Sequence, residues 1–220
     1  MIRSSLEIKF WLEGPPDIDL VRPSRCCGCG AAGRAAGMPK TLVGHGVRLR
    51  GLAGPLLPDA APETLRLFVR RFLCLACRSV LTVVPREVAP SRRYAAPAIA
   101  LALTLFGALG QPAEDVRAHV AVAPRAGFDE RRWRQLDRWP AAISAGRLFA
   151  GLAMPSGEDG ATTRAVGAHF ARQLAARSRR FRGGIAELAM DGAMMAIVMR
   201  SPGKPSPPSR STAEGGPAIA

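Results

Sequence analysis

Five cysteines carry the clearest chemistry in this 220-residue chain, and four of them repeat one spacing. Cys26 and Cys29, in "CCGCG", are separated by two residues and followed by Gly30. Cys74 and Cys77, in "CLAC", repeat that separation. Two cysteines spaced this way turn both sulfurs toward one ion, and a glycine after the second eases the turn. Two such knuckles give four thiolates, the closed tetrahedral set of a structural zinc site, so Zn2+ is the expected cofactor. A closed set leaves no position for a reacting water, which argues against zinc chemistry on a substrate. Cys27 is the spare, too close to Cys29 for the turn. His45, between two glycines, reads as a turn or surface histidine.

The long insert between the knuckles must itself be structured. Residues 41–52 and 65–73 are rich in β-formers with a Pro- and Gly-containing turn region between them, and residues 79–84 follow the second knuckle as a third strand. Knuckle, hairpin, knuckle, strand is the layout of a zinc ribbon. The N-terminus spaces Leu6, Ile8, Phe10 and Leu12 two apart, with the charged Glu7 and Lys9 between the first three, a strand pattern and not the apolar run of a signal peptide. The expected location is therefore cytoplasmic, where paired cysteines hold metal more readily than they form disulfides.

After Pro85 the pattern becomes helical. Tyr94 to Ala113 lacks charge, but Pro97, Gly107, Gly110 and Pro112 leave an apolar helical core of about 12 residues where a bilayer needs about 20. A buried helix near residues 98–109 explains it, with no membrane partner. A short helix from Pro112 follows, then a third from Phe128 to Trp139, with Asp129 as N-cap and Trp133, Leu136 and Trp139 at helical spacing. That third helix carries Arg131, Arg132, Arg134 and Arg138 away from the apolar stripe, the sequence appearance of a helix-turn-helix. Residues 161–184 form a further helix with Arg164, Arg172, Arg177, Arg179, Arg180 and Arg182 and no acid. Residues 185–200 read as another apolar helix, and the Pro/Ser-rich end as disordered.

The formal net charge is +14, and of 31 basic residues only Lys9, Lys40 and Lys204 are lysine. Arginine favours planar contacts with phosphate, so DNA is the expected partner, contacted by Arg92, Arg93, Arg131, Arg132, Arg134, Arg138, Arg177, Arg179 and Arg180. Glu158, Asp159, Glu187 and Asp191 read as surface acids, with no strand set to gather them into a catalytic group. No small-molecule substrate is expected, and a protein partner or homo-oligomer stays open.

The order of these features resembles the N-terminal zinc-ribbon and helix-turn-helix region of bacterial insertion-sequence transposases, and small transposase-like proteins carrying only that region. The carrying residues are the first knuckle, His45 and Gly46 with Arg48 and Arg50, then Arg70, Arg71 and Phe72 before the second knuckle, and Arg92, Arg93 and Tyr94 before the apolar helix. Cys27 departs from the pattern, standing where such knuckles commonly have proline. The resemblance implies DNA binding without catalysis. The expected class is α+β: a β zinc ribbon over residues 1–90, a helix-turn-helix-like α-helical module over 91–152, a basic helical extension over 153–200 and a disordered tail over 201–220. The rival readings are a protein-interaction adaptor and a degenerate transposase remnant without activity.

Overall fold

The computed structural model describes residues 1–34, 37–89, 93–122, 133–149, 151–154, 161–180 and 182–196. Among them four strands form one sheet: β1 (Ile2–Arg3), β2 (Leu42–Ala53), β3 (Thr64–Cys74) and β4 (Val80–Val84). Their spatial order is β1-β4-β3-β2, with β1 parallel to β4 and the other pairs antiparallel. The chain is mixed α+β, since among the described residues five helices follow the sheet: α1 (Ala96–Leu103), α2 (Ala113–Val120), α3 (Gln135–Ser144), α4 (Thr163–Ala175) and α5 (Ile185–Ala196).

The three later strands lie where their β-formers predict them. The N-terminal strand does not: β1 holds only Ile2 and Arg3, and Ile8–Trp11 is a 3-10 turn. Burial explains the difference, because Ile8 and Trp11, three apart, are buried while Phe10 and Leu12 are exposed. Three-residue spacing suits a 3-10 turn, where i and i+3 eclipse.

Burial along β3 changes face midway. Leu67 and Val69 are buried in its first half, Phe72 and Cys74 in its second. Side chains alternate along a strand, so these pairs lie on opposite faces of the sheet, and the exchange falls at Arg70 and Arg71. On the Phe72 face the N-terminal segment is the cover: Arg70 Nε donates to Pro16 O (2.8 Å), and a Cβ on Gly44, opposite Phe72, would stand 2.3 Å from the Ile18 side chain. A bulge interrupts β2 between Gly44 and Val47, where two residues, His45 and Gly46, oppose Arg71. Gly46 sits there at φ +85°, a conformation suited to glycine.

All eight residues of α1 are buried. This accounts for the uncharged stretch after Tyr94: α1 is the centre of the helical part, touched by α2, α3, α4 and α5. The helix continues as a π turn (Thr104–Ala108), where Gly107 lies so near α4 that a Cβ would come within 2.2 Å of the Ala168 amide nitrogen. Among the described residues no helix is long and apolar enough to cross a membrane. The buried residues of sheet and helices form one continuous cluster. At their junction Ala53 donates its amide to Arg93 O (2.8 Å), and Ala95 donates to Ala53 O (2.9 Å).

The third helix begins at Gln135 and runs through Pro140 to Ser144, beyond the expected Phe128–Trp139. Asp129 lies outside the described residues. Trp139 is buried, and Tyr94, Trp133 and Trp139 meet edge to face with centroids 5.1 to 5.9 Å apart, so both tryptophans serve packing. The main neighbour of α3 is α4, whereas α2 packs on α1 and the π turn.

Candidate metal centre

The two knuckles are built alike. In the first, Cys26 N donates to Ala31 O (2.8 Å) and Gly30 N to Cys26 O (2.9 Å); in the second, Cys74 N donates to Ser79 O (2.9 Å) and Arg78 N to Cys74 O (2.8 Å). The same ring of backbone hydrogen bonds thus closes each turn. Gly30 and Arg78, each following its second cysteine, both take positive φ, 76° and 61°. Arg78 is the only non-glycine residue among those described with this conformation, and its sequence gives no sign of it.

Secondary structure positions the knuckles. The second is the turn joining β3 to β4, with Cys74 as the last residue of β3. The first is brought to it through Gly33, whose carbonyl accepts from Thr41 and Leu42 and whose amide donates to Ser24 O (2.7 Å). A Cβ on Gly33 would stand 2.2 Å from Pro23 O, so no other residue fits without moving the backbone. The irregular glycine-rich loop therefore has a fixed splice point. Asp19 adds a polar clamp, with Arg22 at 2.6 Å, Arg34 at 3.5 Å and Lys40 at 3.8 Å. The Arg22 hydrogen bond is the main reason its carboxyl is held below the usual range, with Lys40 and Arg34 assisting. Arg22 also donates to Leu42 O and lies over the Phe72 ring at 5.4 Å.

The four sulfurs of Cys26, Cys29, Cys74 and Cys77 all lie within 4.8 Å of one another. Cys26 and Cys77 stand 3.7 Å apart, as do Cys29 and Cys74. These are two opposite edges of a tetrahedron, and each links one knuckle to the other. Both distances are far longer than the roughly 2 Å of a disulfide. Cys26 and Cys74 are buried, while Cys29 and Cys77 face solvent. Cys27 is half-buried against the core and His45 is exposed at the bulge; neither belongs to the cluster.

Without an ion, Cys77 and Cys29 hold their protons unequally. Hydrogen bonds from the Ser79 side chain and amide draw Cys77 down to about 6. At Cys29 the Ala31 backbone pulls the same way, but Cys77, burial, Cys74 and Cys26 together push the thiol up to about 12. One thiolate thus forms readily and opposes the next, which a cation would relieve by taking all four as thiolates. Such an arrangement can hold a metal ion.

Of the arginines expected at DNA, Arg92, Arg131 and Arg132 lie outside the described residues. Arg93, Arg134, Arg138, Arg179 and Arg180 are exposed. Arg177 is half-buried and donates to Gly151 O. In the same basic stretch Arg164 donates to Phe106 O (2.7 Å) and Gln111 O (3.2 Å) while stacking on Phe106, so it ties α4 to the π turn. Of the four acids read as surface groups, Glu158 and Asp159 lie outside the described residues. Glu187 accepts from the Gly184 amide (2.9 Å) at the start of α5, and Asp191 accepts from Ser178 Oγ (2.7 Å) and the Arg179 amide (2.8 Å). Both acids are engaged in holding helix ends. Compared with protein-family models, curated proteins and solved structures, the chain matches none.

Proposed function

We propose that this chain is a zinc-ribbon DNA-binding protein, transposase-like in its N-terminal organisation and without a catalytic core of its own. The observation that carries the reading is the cysteine cluster. A tetrahedral zinc with Zn–S near 2.3 Å requires sulfurs about 3.8 Å apart, and the two opposite edges measure 3.7 Å. Cys26, Cys29, Cys74 and Cys77 would hold the ion, and the four thiolates fill its coordination sphere. The metal supplies folding free energy and fixes both knuckles in one relative position.

DNA is the partner this reading assigns, because the chain is strongly cationic and exposes arginines on α3 and after α4. The helix-turn-helix role of α2 and α3 belongs to the same proposal, with Arg134 and Arg138 among its phosphate contacts. A second reading, a protein-interaction adaptor, draws on the exposed Val47 and Leu49 along β2, an outer strand of the sheet. The deciding experiment is metal content of the purified chain together with its affinity for a random DNA duplex at two salt concentrations. One zinc per chain and a steep loss of affinity with salt are expected. Zinc without DNA binding at low salt would move the assignment to the adaptor.

A further inference from the structure

Strand register places four arginines on one face of the sheet. Arg48 pairs with Val69 and Arg50 with Leu67 across β2 and β3; Arg71 pairs with Thr82 across β3 and β4; Arg3 pairs with Val84 across β1 and β4. Directly paired residues share a face, and so do residues two apart. Val69, Leu67 and Arg71 therefore project together, as do Thr82 and Val84. One step along from the Arg70–Val83 pair, Val69 stands opposite Val84. A single transverse row thus reads Arg48, Val69, Val84, Arg3, with Arg71 in the next row. Both valines are buried, and the arginines stand at the ends of the row and beside it.

Three of these guanidiniums, those of Arg3, Arg48 and Arg71, are poorly balanced. Among the described residues Arg3, Arg48 and Arg71 make no side-chain hydrogen bond or ion pair. Arg3 Nη1 and Arg71 Nε are shielded from water as well and have no partner. Burial works against the charge of Arg3; Glu87 supports it from a distance, and Arg86 opposes it. Glu87 itself is engaged through Oε1 by Arg86 Nε at 3.3 Å. Arg50 reaches across to Met1 Sδ (3.0 Å) and is pressed by burial and by Arg48. The other guanidinium nitrogens of Arg3 and Arg71, and all of those of Arg48, are not shielded in this way, and arginine's planar fork suits phosphate oxygens.

We propose that this sheet face, through Arg3, Arg48 and Arg71, is a contact surface for the phosphate backbone of DNA. This rests on the DNA-binding reading and adds to it a surface built by the ribbon's own strands. The adjacent arginines of "VRRF" then have separate tasks: Arg70 holds the N-terminal cover on one face, and Arg71 presents its charge on the other.

The test uses the full zinc-loaded chain and a random duplex, with affinity measured between about 50 and about 200 mM salt. Arg48→Gln and Arg71→Gln are each expected to reduce the slope of log affinity against log salt by about one, and the double variant by about two. Arg48 is exposed, so its variant keeps the fold; unchanged zinc content and Tm verify this for both. If the wild type binds no duplex at low salt, the DNA-binding reading fails and this surface with it. If the wild type binds and both variants retain its affinity and slope, this surface alone is overturned. Inorganic phosphate provides the remaining arm. A Tm rise with phosphate that Arg71→Gln abolishes, beside unchanged duplex affinity, would mark a free-phosphate site and overturn the assignment to DNA.

Discussion

Gly30 and Arg78 occupy the same place in two copies of one turn. Each follows the second cysteine of its knuckle, each has positive φ, and each donates its amide to the carbonyl of the first cysteine. One is the residue that such a turn favours, and the other bears a side chain at a conformational cost of about 1 kcal/mol. Nothing lies within 4 Å of a Cβ on Gly30, so Gly30→Ala tests conformation without crowding. It should destabilise the zinc-loaded protein by about 1 kcal/mol, whereas Arg78→Gly should be neutral or slightly stabilising. Paired denaturant midpoints would check this; equal losses in both variants would show the turns to be unlike.

Ligand identity is tested separately. Cys74→Ser should abolish stoichiometric zinc and unfold the knuckles, and Cys27→Ser should retain one zinc per chain, because Cys27 stands outside the four-sulfur cluster. Elemental analysis of both variants gives the answer, and similar zinc loss in each would remove Cys27 from its role as a spare.

Asp191 gives a pH dependence of defined sign. Burial alone would raise its pKa, but hydrogen bonds from Ser178 and the Arg179 amide, with the charge of Arg180, hold it below the ordinary value. A depressed carboxyl stabilises the fold above its unfolded pKa and loses that contribution as pH falls through the folded one. Asp191→Ala should therefore cost about 1 kcal/mol near neutral pH, and the gap to wild type should close below about pH 4. Urea midpoints across that range, taken as differences between the two proteins, cancel effects shared by both, including any from the cysteines. A gap that persisted in acid would place the effect of Asp191 outside its charge.

Close packing of helices makes a steric prediction. A Cβ on Gly192 would stand 1.8 Å from Leu174 O, and one on Gly107 would stand 2.2 Å from the Ala168 amide nitrogen. Gly107→Ala and Gly192→Ala should each destabilise the protein by about 1–3 kcal/mol, despite alanine's better helix propensity. Gly184→Ala, in open space, should fall within about 0.5 kcal/mol of wild type. Thermal unfolding of the three variants separates crowding from propensity.

The cysteine set and the three later strands were legible because spacing and β-formers each have a direct geometric meaning. Cys26, Cys29, Cys74 and Cys77 do converge, and β2 to β4 fall within a residue or two of their expected bounds. The N-terminal segment misled because Leu6, Ile8, Phe10 and Leu12 satisfy a two-residue alternation while burial follows Ile8 and Trp11. Six arginines between 164 and 182 read as one charge cluster without acids, yet Arg164 and Arg177 hold backbone carbonyls, a use visible only once chain folding brings Phe106 and Gly151 near. Neither the left-handed Arg78 nor the shared face of Arg3 and Arg71 has a local signature, since the first depends on a turn closed by backbone hydrogen bonds to Cys74 and the second on strand register.

The change of buried face along β3 divides one strand between two protective environments. Leu67 and Val69 shield its first half on one side, while Phe72 and Cys74 shield its second half beneath the N-terminal segment and beside the sulfurs. Local opening can therefore stop partway along a continuous strand. On the zinc-ribbon proposal, chelation of the zinc-loaded chain should accelerate amide hydrogen exchange from Phe72 to Cys74 while leaving Leu67 and Val69 slow, with the boundary at the two neighbouring arginines.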